Sequence, residues 1–177
     1  MQEPASQHKS NPDMRILKIG TCPTLAQLSE ITYMVGIPID SQNIPDACLR
    51  ISGNSSAGKW NGDWIPISRI DRLLSALPQE QSFTAAAFHP LYPNASTNSP
   101  GFMAGICLNL GLISRVEGGR AYIRDSGQMF WAEMEKALAA GVNLVSSPMV
   151  HTAGNNGGDT PKVNPGKKSK SVSTANA

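Results

Sequence analysis

One glycine-rich stretch, residues 47–67, constrains the fold of this chain more than any other segment. It opens with the apolar run ACLRI, continues through GNSSAGK at 53–59 and returns to apolar residues at Trp64 and Ile65. Apolar runs on both sides of a loop rich in glycine and serine are typical of two antiparallel strands and their connection. The stretch therefore predicts a β-hairpin, with strands near 47–52 and 64–67.

The same loop also matches most of the phosphate-binding pattern G-x-x-x-x-G-K-[ST], which would make it a nucleotide site. That motif needs a hydroxyl residue after the lysine to bind magnesium, and a helix whose amides face the phosphates. Here Trp60 follows Lys59, and Asn61-Gly62-Asp63 interrupts any helix. Nucleotide binding by a degenerate phosphate loop at 53–59 is therefore the third of three functional hypotheses, after the two given below. A related interpretation is an anion site in which the loop amides and Lys59 bind a phosphate.

The rest of the chain divides into short apolar segments separated by helix and turn signals. A capping box at Thr24 and Gln27 predicts a helix over 24–35, and Ser99-Pro100 predicts the start of another. Alternating apolar residues predict a strand over 82–89, although alanines weaken the pattern. The remaining predicted elements are strands at 15–19, 112–116 and 120–124 and helices at 68–77 and 128–140, with Gly118-Gly119 at the turn of the second hairpin.

These elements follow the order β-α-β-β-α-β-α-β-β-α, which predicts one mixed α+β domain over residues 15–145. Residues 1–14 and 146–177 are polar and poor in apolar periodicity, so we expect a disordered N-terminal segment and a flexible tail. The tail is basic, while residues 15–145 carry equal numbers of basic and acidic side chains. A neutral domain has no bulk field for DNA, so any nucleic-acid contact must come from a local patch.

Residues 99–124 carry such a patch in a helix, a glycine and a two-stranded hairpin. The run GICLNLGLISRVEGGRAYIRD resembles the end of a winged helix, in which the helix enters the major groove and the wing contacts phosphate. The helix offers Asn109 alone for reading bases, so a core helix beside a hairpin is the alternative. The predicted nucleic-acid contacts are Lys59, Arg115, Arg120 and Arg124, with Lys167, Lys168 and Lys170 of the tail.

Other functional classes have less support in the residues. Three scattered cysteines and three scattered histidines show no metal-ligand spacing, so we expect no metal and no cofactor. Carboxylates and serines form no catalytic pattern, which favours a non-enzymatic protein. The second hypothesis is a protein-interaction module, binding a partner or a second copy through exposed Trp60, Trp64 and Tyr92.

The location and origin of the protein follow from the same features. No apolar run reaches the roughly 20 residues of a membrane-spanning helix, and the first residues show no secretory signal, so we expect a cytoplasmic protein. The run LKIGTCP at 17–23 resembles small uncharacterised proteins of bacterial plasmids and other mobile elements. That resemblance implies a bacterial cytoplasmic origin and carries over no functional residue. The leading hypothesis is a non-enzymatic accessory or regulatory protein that binds nucleic acid weakly.

Overall fold

The fold is a mixed α+β arrangement, as predicted, in a computed structural model that describes residues 13–78, 81–93 and 98–144. Its strands are β1 (Met14–Pro23), β2 (Glu30–Pro38), β3 (Cys48–Asn54), β4 (Ile65–Pro66), β5 (Ile113–Arg115) and β6 (Tyr122–Arg124). Its α-helices are α1 (Ile67–Ser75), α2 (Asn98–Asn109) and α3 (Gln128–Ala139). Two 3-10 helices, Ile44–Asp46 and Ala85–Leu91, complete the described elements.

Strands β1 to β4 form an antiparallel sheet in sequence order, and β5 and β6 form a separate hairpin. Alternate residues of β2, from Ile31 to Ile37, are fully buried on one face of the sheet. Helix α2 lies against this face, since a Cβ built on Gly105 would lie 3.5 Å from Ile31 Cδ1. Helix α3 contacts β1, where Lys18 forms an ion pair with Glu133. The core is thus enclosed between the sheet and the helices.

The opposite face of the sheet is covered in part by the connection between β3 and β4. Gly36 points to that face, and the ring of Trp64 lies 3.0 Å from the position that a Cβ on Gly36 would occupy. A side chain on Gly36 would therefore displace this ring. The Arg50 guanidinium lies 5.3 Å from the centre of the same ring. This distance is that of a cation–π contact, which helps to hold the ring over the sheet.

The predicted helix over 24–35 is wrong, because this segment forms a turn and most of β2. Thr24 does not cap a helix: its carbonyl accepts a hydrogen bond from the Gln27 amide and its hydroxyl accepts one from the Ser29 amide. The β-branched and aromatic residues of 31–37 suit a strand, and their period-2 burial outweighs the apolar spacing that suggested a helix. Thr24 and Gln27 therefore mark a tight turn and not the start of a helix.

The predicted strand over 82–89 is also wrong, since Ala85–Leu91 is a 3-10 helix. Its alanines have low β-propensity, and Pro90 has no amide to donate to a ladder. One residue of the prediction does pair as a strand would: Phe83 forms an isolated antiparallel bridge with Tyr122.

The two predicted hairpins and the helices of the second half are confirmed. Strand β3 pairs with β4 and β5 with β6, both antiparallel. Gly111 and Gly141 adopt positive φ after α2 and α3, as helix-ending glycines do. Helix α1 begins at Ile67, directly after Pro66, one residue before the predicted start at residue 68. Met14 belongs to β1 and the Asp13 carbonyl accepts a hydrogen bond from the Ile39 amide, so order begins before the predicted residue 15. The rest of the two predicted tails lies outside the described residues.

Candidate functional site

A groove runs between the β1–β2 turn, the C-terminal end of α2 and the β5–β6 hairpin. Two neighbouring pockets, one of about 180 Å³ and one of about 460 Å³, make up this groove and share Leu25 and Arg115 in their linings. The smaller pocket is called the inner part and the larger one the outer part. The other residues of the inner part are Cys22, Pro23, Thr24, Gln27, Gly105, Leu108 and Asn109. The other residues of the outer part are Ala26, Thr84, Ala85, Ala86, Arg120 and Tyr122. Among the described residues, this lining includes two cations and no acidic side chain.

The shape of the inner part depends on a tight turn and on a small helical residue. The turn closes with hydrogen bonds from the Thr24 amide to the Ser29 carbonyl and from the Gln27 amide to the Thr24 carbonyl. Gln27 adopts a φ of 57°. Polar residues enter this left-handed region more readily than branched ones. A Cβ on Gly105 would lie 3.5 Å from the Pro23 carbonyl, so the glycine lets α2 approach the end of β1 closely.

Arg115 is held at the junction of the two parts by an aromatic ring. Its guanidinium carbon lies 5.6 Å from the centroid of the Tyr122 ring. Tyr122 is buried and packs against Phe83, with ring centroids 6.3 Å apart. This cation–π contact places the charge of the exposed Arg115 beside the groove.

The three arginines predicted to act together are divided by the structure. Arg115 and Arg120 share the outer part of the groove, whereas Arg124 points to α1. The Arg124 guanidinium donates to Asp71 Oδ1 at 2.7 Å and to Ser75 Oγ at 2.8 Å. The charge of Arg124 is therefore offset by a carboxylate, and a larger groove beside it, of about 690 Å³, is lined by Asp125 as well.

Lys59 lies at the other end of α2 from these arginines. Its carbonyl accepts a hydrogen bond from Asn98 Nδ2 at 3.2 Å, at the first residue of the helix. Arg115 instead lines a cavity with Gly105 and Asn109, near the last residue. A ligand that contacts both Lys59 and the pair Arg115 and Arg120 would have to extend along the length of α2. Lys167, Lys168 and Lys170 lie outside the described residues.

The glycine-rich loop does not form the cradle of a phosphate loop. The Asn54 carboxamide fills it, donating from Nδ2 to the Ser56 hydroxyl at 2.7 Å and to the Gly58 carbonyl at 3.4 Å. After Lys59 the chain is irregular up to β4, so no helix begins directly after the lysine. An open cradle and a helix that continues from it concentrate positive potential on a phosphate, and this loop has neither.

The aromatic residues predicted to form an exposed surface are packed to different extents. Tyr92 is 6% exposed and belongs to the core, so the prediction that it lies on an interaction surface is wrong. It follows the 3-10 helix Ala85–Leu91, whose last turn directs it inward. Trp60 is half-buried against the core, and Trp64 is half-buried over Gly36. Both tryptophans are better described as covers of the sheet and core than as contacts.

A buried tyrosine holds Asn109, a polar residue of the inner part, and sequence reasoning missed it. Tyr33 of β2 donates from its hydroxyl to Asn109 Oδ1 at 2.9 Å. Burial raises the pKa of Tyr33 to about 12, with smaller contributions from Cys22 and Glu133, so the donor proton is retained at neutral pH. Tyr33 lies in the segment predicted as a helix, and only the strand pairing brings it to Asn109.

The cysteine of the groove lacks the properties of a nucleophile. Burial raises the pKa of Cys22 to about 11, with a further contribution from Glu30, which keeps the thiol protonated. Burial likewise raises the pKa of Cys107. Within residues 13–78, 81–93 and 98–144, no three His, Cys, Asp or Glu side chains are grouped as metal ligands. The same residues contain no helix long and apolar enough to cross a membrane.

Comparison of the chain with protein-family models, with curated proteins and with solved structures gives no match. The assignment of function therefore depends on the groove itself.

Proposed function

We propose that this protein is a non-enzymatic accessory protein of the cytoplasm that binds nucleic acid through the groove of Arg115 and Arg120. The observation that carries the proposal is that two arginines line one concave surface whose described lining has no acidic residue. Guanidinium groups bind phosphate oxygens in a planar, bidentate fashion, and phosphate contacts supply most of nonspecific nucleic-acid affinity.

The charge balance of the chain supports a local mode of binding. Residues 15–145 are neutral overall, so the attraction decays with distance from the two arginines. Helix α2 has Met103, Ala104, Ile106 and Cys107 fully buried, and the proposal therefore does not use insertion of this helix into a DNA groove. The lysine tail is a second predicted source of phosphate contacts.

Protein binding through Trp60 and Trp64 is the weaker proposal, because both rings already cover apolar residues of this chain. It predicts a dimer in light scattering that is lost when both tryptophans are replaced. Nucleotide binding at 53–59 is weaker still, since the Asn54 carboxamide occupies the loop.

The test is a fluorescence-anisotropy titration of a labelled oligonucleotide with the full chain at one low salt concentration. We expect Arg115→Ala/Arg120→Ala to weaken binding by tenfold or more, equivalent to about 1.4 kcal/mol at tenfold. Arg124→Ala is the matched control, because it removes a charge from the same hairpin that the ion pair with Asp71 already offsets. Equal affinity of the double variant and the parent protein, or no binding by the parent, would contradict the proposal.

A further inference from the structure

The inner part of the groove indicates which kind of nucleic acid the protein binds. This inference rests on the proposed function. We propose that the groove takes an unpaired nucleotide of a single strand, with its base in the inner part and its phosphate on Arg115 and Arg120. The ligand class is therefore single-stranded nucleic acid.

The size and lining of the inner part fit a base. Its volume is about 180 Å³. For comparison, an apolar cavity of about 150 Å³ is large enough to hold benzene. Pro23, Leu25, Gly105 and Leu108 provide apolar surface around the inner part. Such surfaces can cover the flat face of any base, which gains from leaving water.

Asn109 provides a polar group at the end of this cavity. Its Oδ1 is engaged by the Tyr33 hydroxyl, which fixes the orientation of the amide. Its Nδ2 forms no hydrogen bond within the part of the chain that the structure describes, and the side chain is exposed. Nδ2 is thus available as a donor to the carbonyl oxygens or ring nitrogens of a base.

The arrangement of the cations matches the order of groups in a nucleotide. Arg115 lines both parts of the groove, whereas Arg120 lines the outer part alone. A ligand that places its ring in the inner part meets Arg115 first and Arg120 beyond it, as a base is followed by sugar and phosphate. The outer part, at about 460 Å³, has room for these groups.

A paired base cannot make these contacts. The inner part is bounded by the turn at 24–27 and by α2, so a base must leave the stack to enter. Extruding a base from a duplex costs a few kcal/mol, whereas bases of a single strand are already accessible. The same groove should therefore discriminate between single and double strands.

The experiment compares two labelled single strands by fluorescence anisotropy: a short strand of thymidine nucleotides, and a strand of equal length with abasic sites throughout. Both carry the same number of phosphates. We expect about tenfold weaker binding of the abasic strand, because it has no base to bury against Leu25 and Leu108. We also expect weaker binding of a duplex of the same length.

Matched variants on the β1–β2 turn locate the effect. Leu25 lines both parts of the groove, while Leu28, three residues later, is 88% exposed and lines neither. Leu25→Ala should weaken binding of the thymidine strand and leave the abasic strand unchanged, and Leu28→Ala should change neither. The comparison of strands on the parent protein decides the question even where Leu25→Ala does not fold.

The outcomes separate this inference from the proposed function. Equal, arginine-dependent binding of the thymidine and abasic strands would overturn the base cavity and leave phosphate binding intact. Tighter binding of the duplex than of the single strand would do the same. Binding of none of the three oligonucleotides would overturn both proposals together.

Discussion

The β3–β4 connection and the β5–β6 hairpin both contain glycine and cationic residues, yet they use their polar groups in opposite ways. In the β3–β4 connection the polar groups bond to this chain itself: the Asn54 carboxamide bonds Ser56 within the loop, and the backbone amide of Asn61 donates to the buried Ser99 hydroxyl of α2 at 2.8 Å. In the β5–β6 hairpin, Arg115 and Arg120 face a groove instead. The β3–β4 connection, which resembles a phosphate loop in sequence, thus has a structural role. The candidate binding residues lie in the β5–β6 hairpin, which has no phosphate motif.

The largest expected effect tests the structural role of the β3–β4 connection. Trp64→Ala should lower the free energy of unfolding by about 2–3 kcal/mol, somewhat less than the cost of truncating a fully buried tryptophan. The loss arises because the ring covers Gly36 and stacks with Arg50. Urea denaturation measures the change, and oligonucleotide affinity of the folded variant should equal that of the parent. A variant of unchanged stability and weakened oligonucleotide binding would instead assign binding to the β3–β4 connection.

A second substitution examines the interior of the same loop. Asn54→Ala removes the carboxamide that bonds Ser56 and Gly58. We expect a loss of about 1 kcal/mol in the free energy of unfolding, the usual net contribution of a hydrogen bond. Ser55→Ala, which removes the hydroxyl that accepts from the Glu30 amide at the base of the loop, serves as a comparison. If Asn54→Ala created ATP binding in a calorimetric titration, the loop would have to be regarded as a blocked phosphate site.

A smaller effect is expected at the ion pair between the β5–β6 hairpin and α1. Both side chains of this pair are about half-exposed, so solvent screens their attraction. Arg124→Ala should therefore cost about 0.5 kcal/mol of stability, as is usual for an exposed ion pair. Asp71→Ala should have a similar effect on stability. The double variant Arg124→Ala/Asp71→Ala should be no less stable than either single variant. A fall in oligonucleotide affinity with Arg124→Ala alone would show that all three arginines bind the ligand.

The smallest effect concerns the acid side of the stability profile. The Ser114 hydroxyl and the Ser126 amide donate to the Asp125 carboxylate and lower its pKa below the ordinary value of 3.8. A lowered pKa stabilises the folded state above the unfolded pKa, and this contribution is lost as the pH falls through the folded pKa. The stability difference between the parent and Asp125→Asn should therefore shrink below about pH 4. Parallel pH profiles of the two proteins would contradict this.

Apolar spacing and turn residues predict much of the fold, because the residues they mark as buried are also buried in the folded protein. Strands on either side of the 53–59 loop, the hairpin around Gly118 and the helix ended by Gly111 all occur where spacing and turn residues agree. The prediction for segment 24–35 fails because the spacing of its apolar residues also fits a helix, although its β-branched and aromatic residues favour a strand. Pairing of Tyr33 with Ile51 of β3 decides between them, and that contact is distant in the sequence.

The candidate site is predictable only in its arginines. Arg115 and Arg120 are recognisable as hairpin cations, but the separation of Arg124 depends on Asp71, which lies 53 positions away. Leu25 lines the groove through a turn, and Tyr33 bonds the groove residue Asn109 from a strand, and the sequence signals conceal both elements. The sequence predicts Tyr92 as an exposed aromatic because nothing in its neighbourhood indicates the inward turn after Leu91.

The salt dependence of oligonucleotide binding tests the central claim most directly, that phosphate contacts lie in the β5–β6 hairpin and not in the glycine-rich loop. The slope of log K against log salt changes by about 0.7 for each phosphate contact on a single strand. We predict that Arg115→Ala/Arg120→Ala reduces the slope by about 1.4 and that Lys59→Ala leaves it unchanged. A reduced slope with Lys59→Ala, together with an unchanged slope for the arginine variant, would contradict the account.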